Sequence, residues 1–126
     1  MVVYQMPKQY GFSKQSRLLS STDFRHVLSN PDKKLFFDCF VLFLKRNSGS
    51  ISRLGIAVPK RKIRLAVRRN RIKRISRESF RLHQSLPGYL DIVIIANQKA
   101  DLAGNKELFT QFDQAWEKSI KYFGNS

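Results

Sequence analysis

The sequence predicts an α+β fold in the order α, β, β, α, β, α, and three observations carry that prediction. Apolar runs over Phe36–Arg46 (FFDCFVLFLKR) and Leu90–Ala96 (LDIVIIA) have the length and near-unbroken hydrophobicity of buried strands. The apolar period becomes helical in two further places, from about Leu65 and from Asn105. With 126 residues, 42% of them hydrophobic, ten Phe and one Trp, the chain is large enough for one domain with its own core.

Met1–Gly11 contains Pro7 and no periodicity, so it reads as an irregular N-terminal arm. Ser21 or Thr22 is placed to cap a short helix in which Phe24, Val27 and Leu28 share a face, and Asn30–Pro31 ends it. Within Phe36–Arg46, alternation puts Phe37, Cys39, Val41 and Phe43 on one face and Phe40, Leu42 and Leu44 on the other, as in a central strand. The turn cluster Asn47–Ser52 leads to a second strand, Arg53–Val58, expected to pair antiparallel with the first as a hairpin and to stop at Pro59. Leu65, Ile72, Ile75, Ser79, Leu82 and Leu86 trace the buried side of a helix over residues 65–86 that Pro87–Gly88 terminates. A strand over Leu90–Ala96 follows, then a helix over residues 105–123 with Leu108, Phe112, Trp116, Ile120 and Phe123 inward. Arg53–Ala96 is the one βαβ unit, and its two strands form the candidate parallel pair.

Lys and Arg number 24 against nine acids, a formal net charge of +15. Self-repulsion on that scale favours a polyanionic partner. No run approaches the roughly 18 apolar residues of a membrane span, and Met1–Tyr10 has no secretory h-region, so the sequence is read as that of a cytoplasmic protein with no membrane partner. The single cysteine, Cys39, lies in an apolar run and reads as a buried, inert thiol. His26 and His83 lack neighbours at metal-ligand spacing and read as surface or RNA-facing side chains.

Residues 60–81 (KRKIRLAVRRNRIKRISRESFR) hold eleven Lys or Arg and one acid, Glu78. At 100° per residue, Asn70, Arg74, Arg77 and Arg81, flanked by Lys73, lie opposite the apolar stripe. A merely solvated helix face normally mixes signs to gain i, i+4 pairs, whereas like charges repeat here. Arginine suits a ridge that grips phosphate oxygens, and Asn70 adds a donor and acceptor able to meet a 2′-hydroxyl or base edge. A basic helix between strands is unlike the all-helical setting of helix-turn-helix recognition, which favours RNA over duplex DNA. Phe24, Phe40 and Phe43 are candidate platforms for unstacked bases, although each reads first as a core residue.

Arg68–Phe80 (RRNRIKRISRESF) closely resembles the arginine-asparagine-arginine signature of the ribonuclease P protein family, RNRIKR followed by R-E-x-F. Residues 53–61 (RLGIAVPKR) resemble that family's strand and basic turn, Arg17–Phe24 (RLLSSTDF) its N-terminal entry, and Leu90–Ala96 its last core strand. The resemblance spans about Phe12–Leu102. It implies an α/β sandwich with a central mixed sheet and a left-handed βαβ crossover, against the general right-handed rule. It also implies a non-catalytic protein component of an endoribonuclease whose RNA subunit performs metal-dependent hydrolysis and removes the 5′ leader of precursor tRNA. Contacts to the catalytic RNA are implied at Lys60, Arg61, Arg69, Asn70, Arg71, Lys73, Arg74 and Arg77, and a leader-binding cleft at Phe24, Leu28 and Phe43; Arg68 and Arg81 of the same basic helix are expected to join the RNA contacts. Leu28 stands where members often carry an aromatic residue, Phe43 where many carry Tyr, and Pro59 where a small polar residue is common. No catalytic residue, metal or cofactor is expected on the protein itself. Mg²⁺ is expected in the RNA-containing holoenzyme, with the protein a monomer in a 1:1 ribonucleoprotein.

Two other readings remain open on the residues: a ribosomal-type structural RNA-binding protein and a free-standing metal-dependent nuclease. The second needs clustered carboxylates, whereas the nine acids are scattered, with Asp91, Asp101, Glu107, Asp113 and Glu117 in the C-terminal part.

Overall fold

A computed structural model describes residues 20–49, 51–83 and 89–124. The expected N-terminal arm over Met1–Gly11, and the inward Leu86 with its Pro87–Gly88 stop, lie outside the described residues. The elements run α1 (Ser21–Ser29), β1 (Lys33–Phe36), β2 (Phe40–Arg46), β3 (Arg53–Ala57), α2 (Ala66–Leu82), β4 (Leu90–Ala96), α3 (Gln98–Leu102) and α4 (Asn105–Gly124).

The four strands form one mixed sheet in the order β1-β2-β4-β3, with β1/β2 and β2/β4 antiparallel and β3/β4 parallel. The expected parallel pair is therefore present, but the expected β2/β3 hairpin is not. β4 is the most apolar strand and is buried on both faces, so it gains most from neighbours on both edges and inserts between β2 and β3. Residues 47–52 need cross only one intervening strand, about 10 Å, which six residues readily span.

The long run starting at Phe36 is also two strands. Phe36 ends β1, Phe37 N–H donates to Phe40 O at 2.9 Å to close a turn, and Phe40 begins β2. Within β2 alternation holds, with Phe40, Leu42 and Leu44 buried on one face and Val41 and Phe43 half-buried on the other. The turn breaks the parity for Cys39, which joins the cluster of Phe40 and not that of Phe43. Cys39 is buried, and desolvation raises its thiol pKa above the ordinary value.

One sheet face, bearing Leu42, Leu44, Leu54, Ile56, Ile92 and Ile94, packs with α2 and α4. Phe112 of α4 stacks on Phe40 at 4.3 Å between ring centres, and Trp116 meets the edge of Phe80 at 5.8 Å. Trp116 Nε1 donates to Ser79 Oγ at 2.8 Å, which explains a serine in the buried stripe of α2: it satisfies the indole N–H. The expected helix over 65–86 is Ala66–Leu82; Leu65 is its N-terminal flanking residue, and both Leu65 and Leu82 are exposed. Phe80 takes the buried place at that end. In α4 the expected stripe holds except at Ile120, which is half-buried while Ala115 and Ser119 are fully covered.

The opposite sheet face is covered by α1, whose Phe24 and Val27 pack on Ala57 and Val93. Ser20, one residue before the expected caps, caps α1 by accepting from Asp23 N–H at 3.2 Å. A charged clasp sits at the sheet end: Arg53 donates to both oxygens of the buried Asp91 at 2.8 and 2.7 Å and to Asp23 of α1 at 3.0 Å. Asn47 Nδ2 adds a bond of 2.8 Å to Asp91. The hydrogen bonds to Asp91 hold the Arg53 pKa above its ordinary value.

Because Phe24 is fully buried, Phe24→Ala is expected to cost about 3–5 kcal/mol of folding stability. Urea denaturation followed by circular dichroism measures it; a cost below about 1 kcal/mol would mean that α1 is not held by this ring.

Candidate nucleic-acid interface

The basic segment begins in the turn after β3. Pro59 O accepts from Lys62 N–H at 3.1 Å and Ile63 N–H at 3.0 Å, and buried Ile63 anchors the turn while Lys60 and Arg61 project into solvent. Leu65 is extended and offers no side-chain cap, and the first turn of α2 has no acid. The positive end of the helix dipole therefore adds to the cationic side chains around it.

The cations of α2 divide into two groups. Arg71 donates to Asn105 Oδ1 at 2.6 Å and to the carbonyls of Ala100 and Ala103 at 3.0 and 2.9 Å. Arg68 is paired with the Asp101 carboxylate and donates to Asp101 O at 2.9 Å. Both thus hold α2 against α3, whose last carbonyls they satisfy. Arg69 turns back to the carbonyls of Ile63 and Arg64 at 2.9 and 2.6 Å, fastening the basic turn to the helix.

In the second group, Asn70 and Arg74 are exposed and have no intramolecular partner among the described residues. With Arg77 they line an open concavity of about 800 Å³, completed by Val67, Arg68, Arg71, Asp101, Leu102 and Ala103. Burial lowers the pKa of the half-buried Arg77 guanidinium below its ordinary value. Arg81 extends the same helix side by one turn, and its buried Nε has no hydrogen-bond partner among the described residues. Lys73 lies on the flank, where desolvation first, then the charges of Arg69 and Lys60, hold its pKa below the ordinary value. Asn70, Arg74 and Arg77 are thus brought to one surface, as the helical spacing predicts. The intramolecular duties of Arg68, Arg69 and Arg71 are what sequence reasoning missed, because their acceptors belong to α3, its flanks and the turn. The sign available beforehand was Asn97, whose side chain accepts from Lys99 N–H at 2.8 Å and caps the unpredicted α3.

On the other side of the sheet, Leu28 and Phe43 are half-buried, and Lys34 Nζ stands 5.4 Å from the Phe43 ring centre. Phe24 and Phe40 offer no ring face as base platforms, Phe24 being sealed under α1 and Phe40 stacked on Phe112. His26 is exposed, whereas His83 contacts Ser79 O at 3.0 Å and lies 3.6 Å from Asp113. Among the described residues no three His, Cys, Asp or Glu side chains gather as a metal site, and no helix is long and apolar enough to cross a membrane.

The sequence profile of the ribonuclease P family, described as "Ribonuclease P", matches residues 12–119. The chain belongs to the ribonuclease P protein family. It is 40% identical over 109 residues to the ribonuclease P protein component of Acinetobacter baylyi, covering 86% of this chain and 83% of that one. It is 38% identical over 109 residues to that of Vibrio campbellii, covering 86% and 92%. The solved ribonuclease P protein of Staphylococcus aureus superposes with a TM-score of 0.69 at 28% identity, over 89% of this chain and 94% of that one. That of Thermotoga maritima superposes with a TM-score of 0.60 at 27% identity, over 98% and 97%. The chain is accordingly a protein component of ribonuclease P, an endoribonuclease in which protein and RNA subunits act together in tRNA 5′ processing. Family membership decides against both the ribosomal-type and the free-standing nuclease readings.

The two groups of cations should separate in the free protein. Arg71→Ala, which strips donors from two backbone carbonyls and Asn105, is expected to lower stability by about 1–3 kcal/mol, and Arg74→Ala by no more than about 0.5 kcal/mol. Equal losses in urea titrations would contradict the division. Lys73 behaves oppositely: its pKa is lowered, so its charge opposes folding at neutral pH, and that penalty disappears as pH rises through the lowered pKa. Lys73→Met should therefore raise the melting temperature at pH 7, with the gain vanishing above the ordinary lysine pKa near 10.4.

Proposed function

We propose that Asn70, Arg74 and Arg77, with Lys73 and Arg81 on α2 and Lys60 and Arg61 on the preceding turn, grip the ribose-phosphate of the ribonuclease P RNA. Arg68, Arg69 and Arg71 add charge to this surface while they fix its shape. The half-buried side chains Leu28 and Phe43, on the opposite sheet face, receive the single-stranded 5′ leader of precursor tRNA, with Phe24 supporting them from beneath. Residues 1–126 act as one RNA-binding domain, one copy per RNA, in the cytoplasm. Hydrolysis belongs to the RNA and its Mg²⁺ ions; the chain's part is to bind and to lower repulsion between two polyanions.

The observation that carries this reading is the convergence of Asn70, Arg74 and Arg77 on one open concavity, with Asn70 and Arg74 unpartnered among the described residues. A guanidinium with free N–H groups can take two phosphate oxygens at once, and binding of that kind weakens with salt as counterions are no longer released to advantage.

Reconstitution with a bacterial ribonuclease P RNA at low Mg²⁺ tests the proposal. Adding the protein should speed leader removal, and R74A/R77A should weaken RNA binding and reduce the slope of log affinity against log salt by about one per lost phosphate contact. A folded double variant that binds as tightly as the parent, with the same slope, would refute it. Phe43→Ala should narrow the preference for precursor over mature tRNA while leaving affinity for the ribonuclease P RNA intact; equal losses on both tRNAs would refute the leader role.

A further inference from the structure

The concavity between α2 and α3 contains a feature that phosphate binding does not require. Val67, on the first turn of α2, is 73% exposed, and Leu102, the last residue of α3, is 83% exposed, yet both belong to the lining that holds Asn70, Arg74 and Arg77. A lone exposed aliphatic residue is ordinary. Two of them bordering a cationic groove are different, because phosphate oxygens gain nothing from an apolar wall. The walls are also held in place: α3 is fastened to α2 by Arg68 through Asp101 and by Arg71 through the carbonyls of Ala100 and Ala103. Leu102 is therefore presented by a fixed element.

We infer that Val67 and Leu102 form an apolar clamp for one unstacked nucleobase of the partner RNA, with Asn70 at the base edge and Arg74 and Arg77 on the flanking phosphates. The inference rests on the RNA-binding reading of α2 and extends it from backbone contact to base contact. RNA is read in sequence mainly where bases are splayed out of the helix, and such a base needs an apolar flank for its faces and a donor-acceptor group for its edge. An amide supplies both a donor and an acceptor. The volume, about 800 Å³, falls within the roughly 300–1,000 Å³ typical of sites that enclose a small organic molecule, which accommodates a nucleotide.

The test uses the full chain assembled on a bacterial ribonuclease P RNA. Leu102→Ser, at a solvent-exposed helix end, is expected to weaken affinity about fivefold, the low end of what one base stacked on an aromatic side chain contributes, with no change in salt slope. Base-specific chemical probing should show one nucleotide regaining reactivity in this variant while backbone protection around it persists. Leu102→Phe should restore or improve affinity. If R74A/R77A weakens binding but Leu102→Ser alters neither affinity nor base reactivity, the clamp is wrong and the phosphate surface stands. If none of these variants changes binding, the RNA-binding reading of α2 falls as well. A Leu102→Ser loss accompanied by a lower salt slope would also overturn the clamp, since it would mean a lost phosphate contact.

Discussion

β4 is buried along nearly its whole length and hydrogen-bonded on both edges, to β2 antiparallel and to β3 parallel. That double enclosure determines where the cations stand. A strand that joins its neighbour in parallel requires the chain to travel back along the sheet first, and α2 is that return segment. In making the crossing α2 lays Ile72, Ile75 and Phe80 on the core, with Ser79 meeting the Trp116 indole. The side of a helix opposite such a stripe must face solvent, and this is where Asn70 and Arg74 lie. A strand on the far side of the core from these side chains thereby fixes the geometry of the cationic surface.

The free protein bears the cost of this arrangement. α2 starts with no side-chain cap and no acid in its first turn, against the usual preference for anions at that end. Lys73 is partly desolvated and sits beside Arg69 and Lys60, and Arg77 is partly desolvated, so the charged form of each is disfavoured relative to water. A polyanion offsets the repulsion among these cations and the uncapped positive end of the helix dipole. Binding then stabilises the folded chain by mass action, and the sequence keeps charges that stability alone would remove.

The sequence reveals periodicities well and partners poorly. The α4 stripe of Leu108, Phe112, Trp116 and Phe123 is legible because burial in a helix repeats locally, and the outward line of Asn70, Arg74 and Arg77 is its complement on α2. Pairing of β3 with β4 is likewise legible from the βαβ pattern. The β2/β3 hairpin misleads because a turn cluster states that the chain reverses, not which strand edge it meets next. Phe36–Arg46 reads as one strand because Phe37, Asp38 and Cys39 include no Gly or Pro to mark the turn. Leu65 and Leu82 fit the helical period yet lie past the edge of the core, whose extent depends on α4 and the sheet. The Pro59 carbonyl accepts hydrogen bonds from two amides of the turn, which any residue could do, and nothing in the structure explains a proline there.

The arginines of the signature are not equivalent, and their acceptors explain why. Arg71 binds two backbone carbonyls and an amide oxygen, all neutral groups inside the protein's own frame. Lysine at this position could not span three acceptors with the same planar fork. Arg68 instead pairs with the carboxylate of Asp101, the one carboxylate among the residues that line the groove, and also donates to the Asp101 carbonyl, with both side chains partly exposed. Water and salt weaken an exposed ion pair of this kind, whereas Arg71 is held by neutral acceptors alone. Removing Arg71 would leave the carbonyls of Ala100 and Ala103 without these donors. The same signature therefore supplies two arginines that fasten α3 to α2, one through a salt-sensitive pair and a carbonyl and one through neutral acceptors.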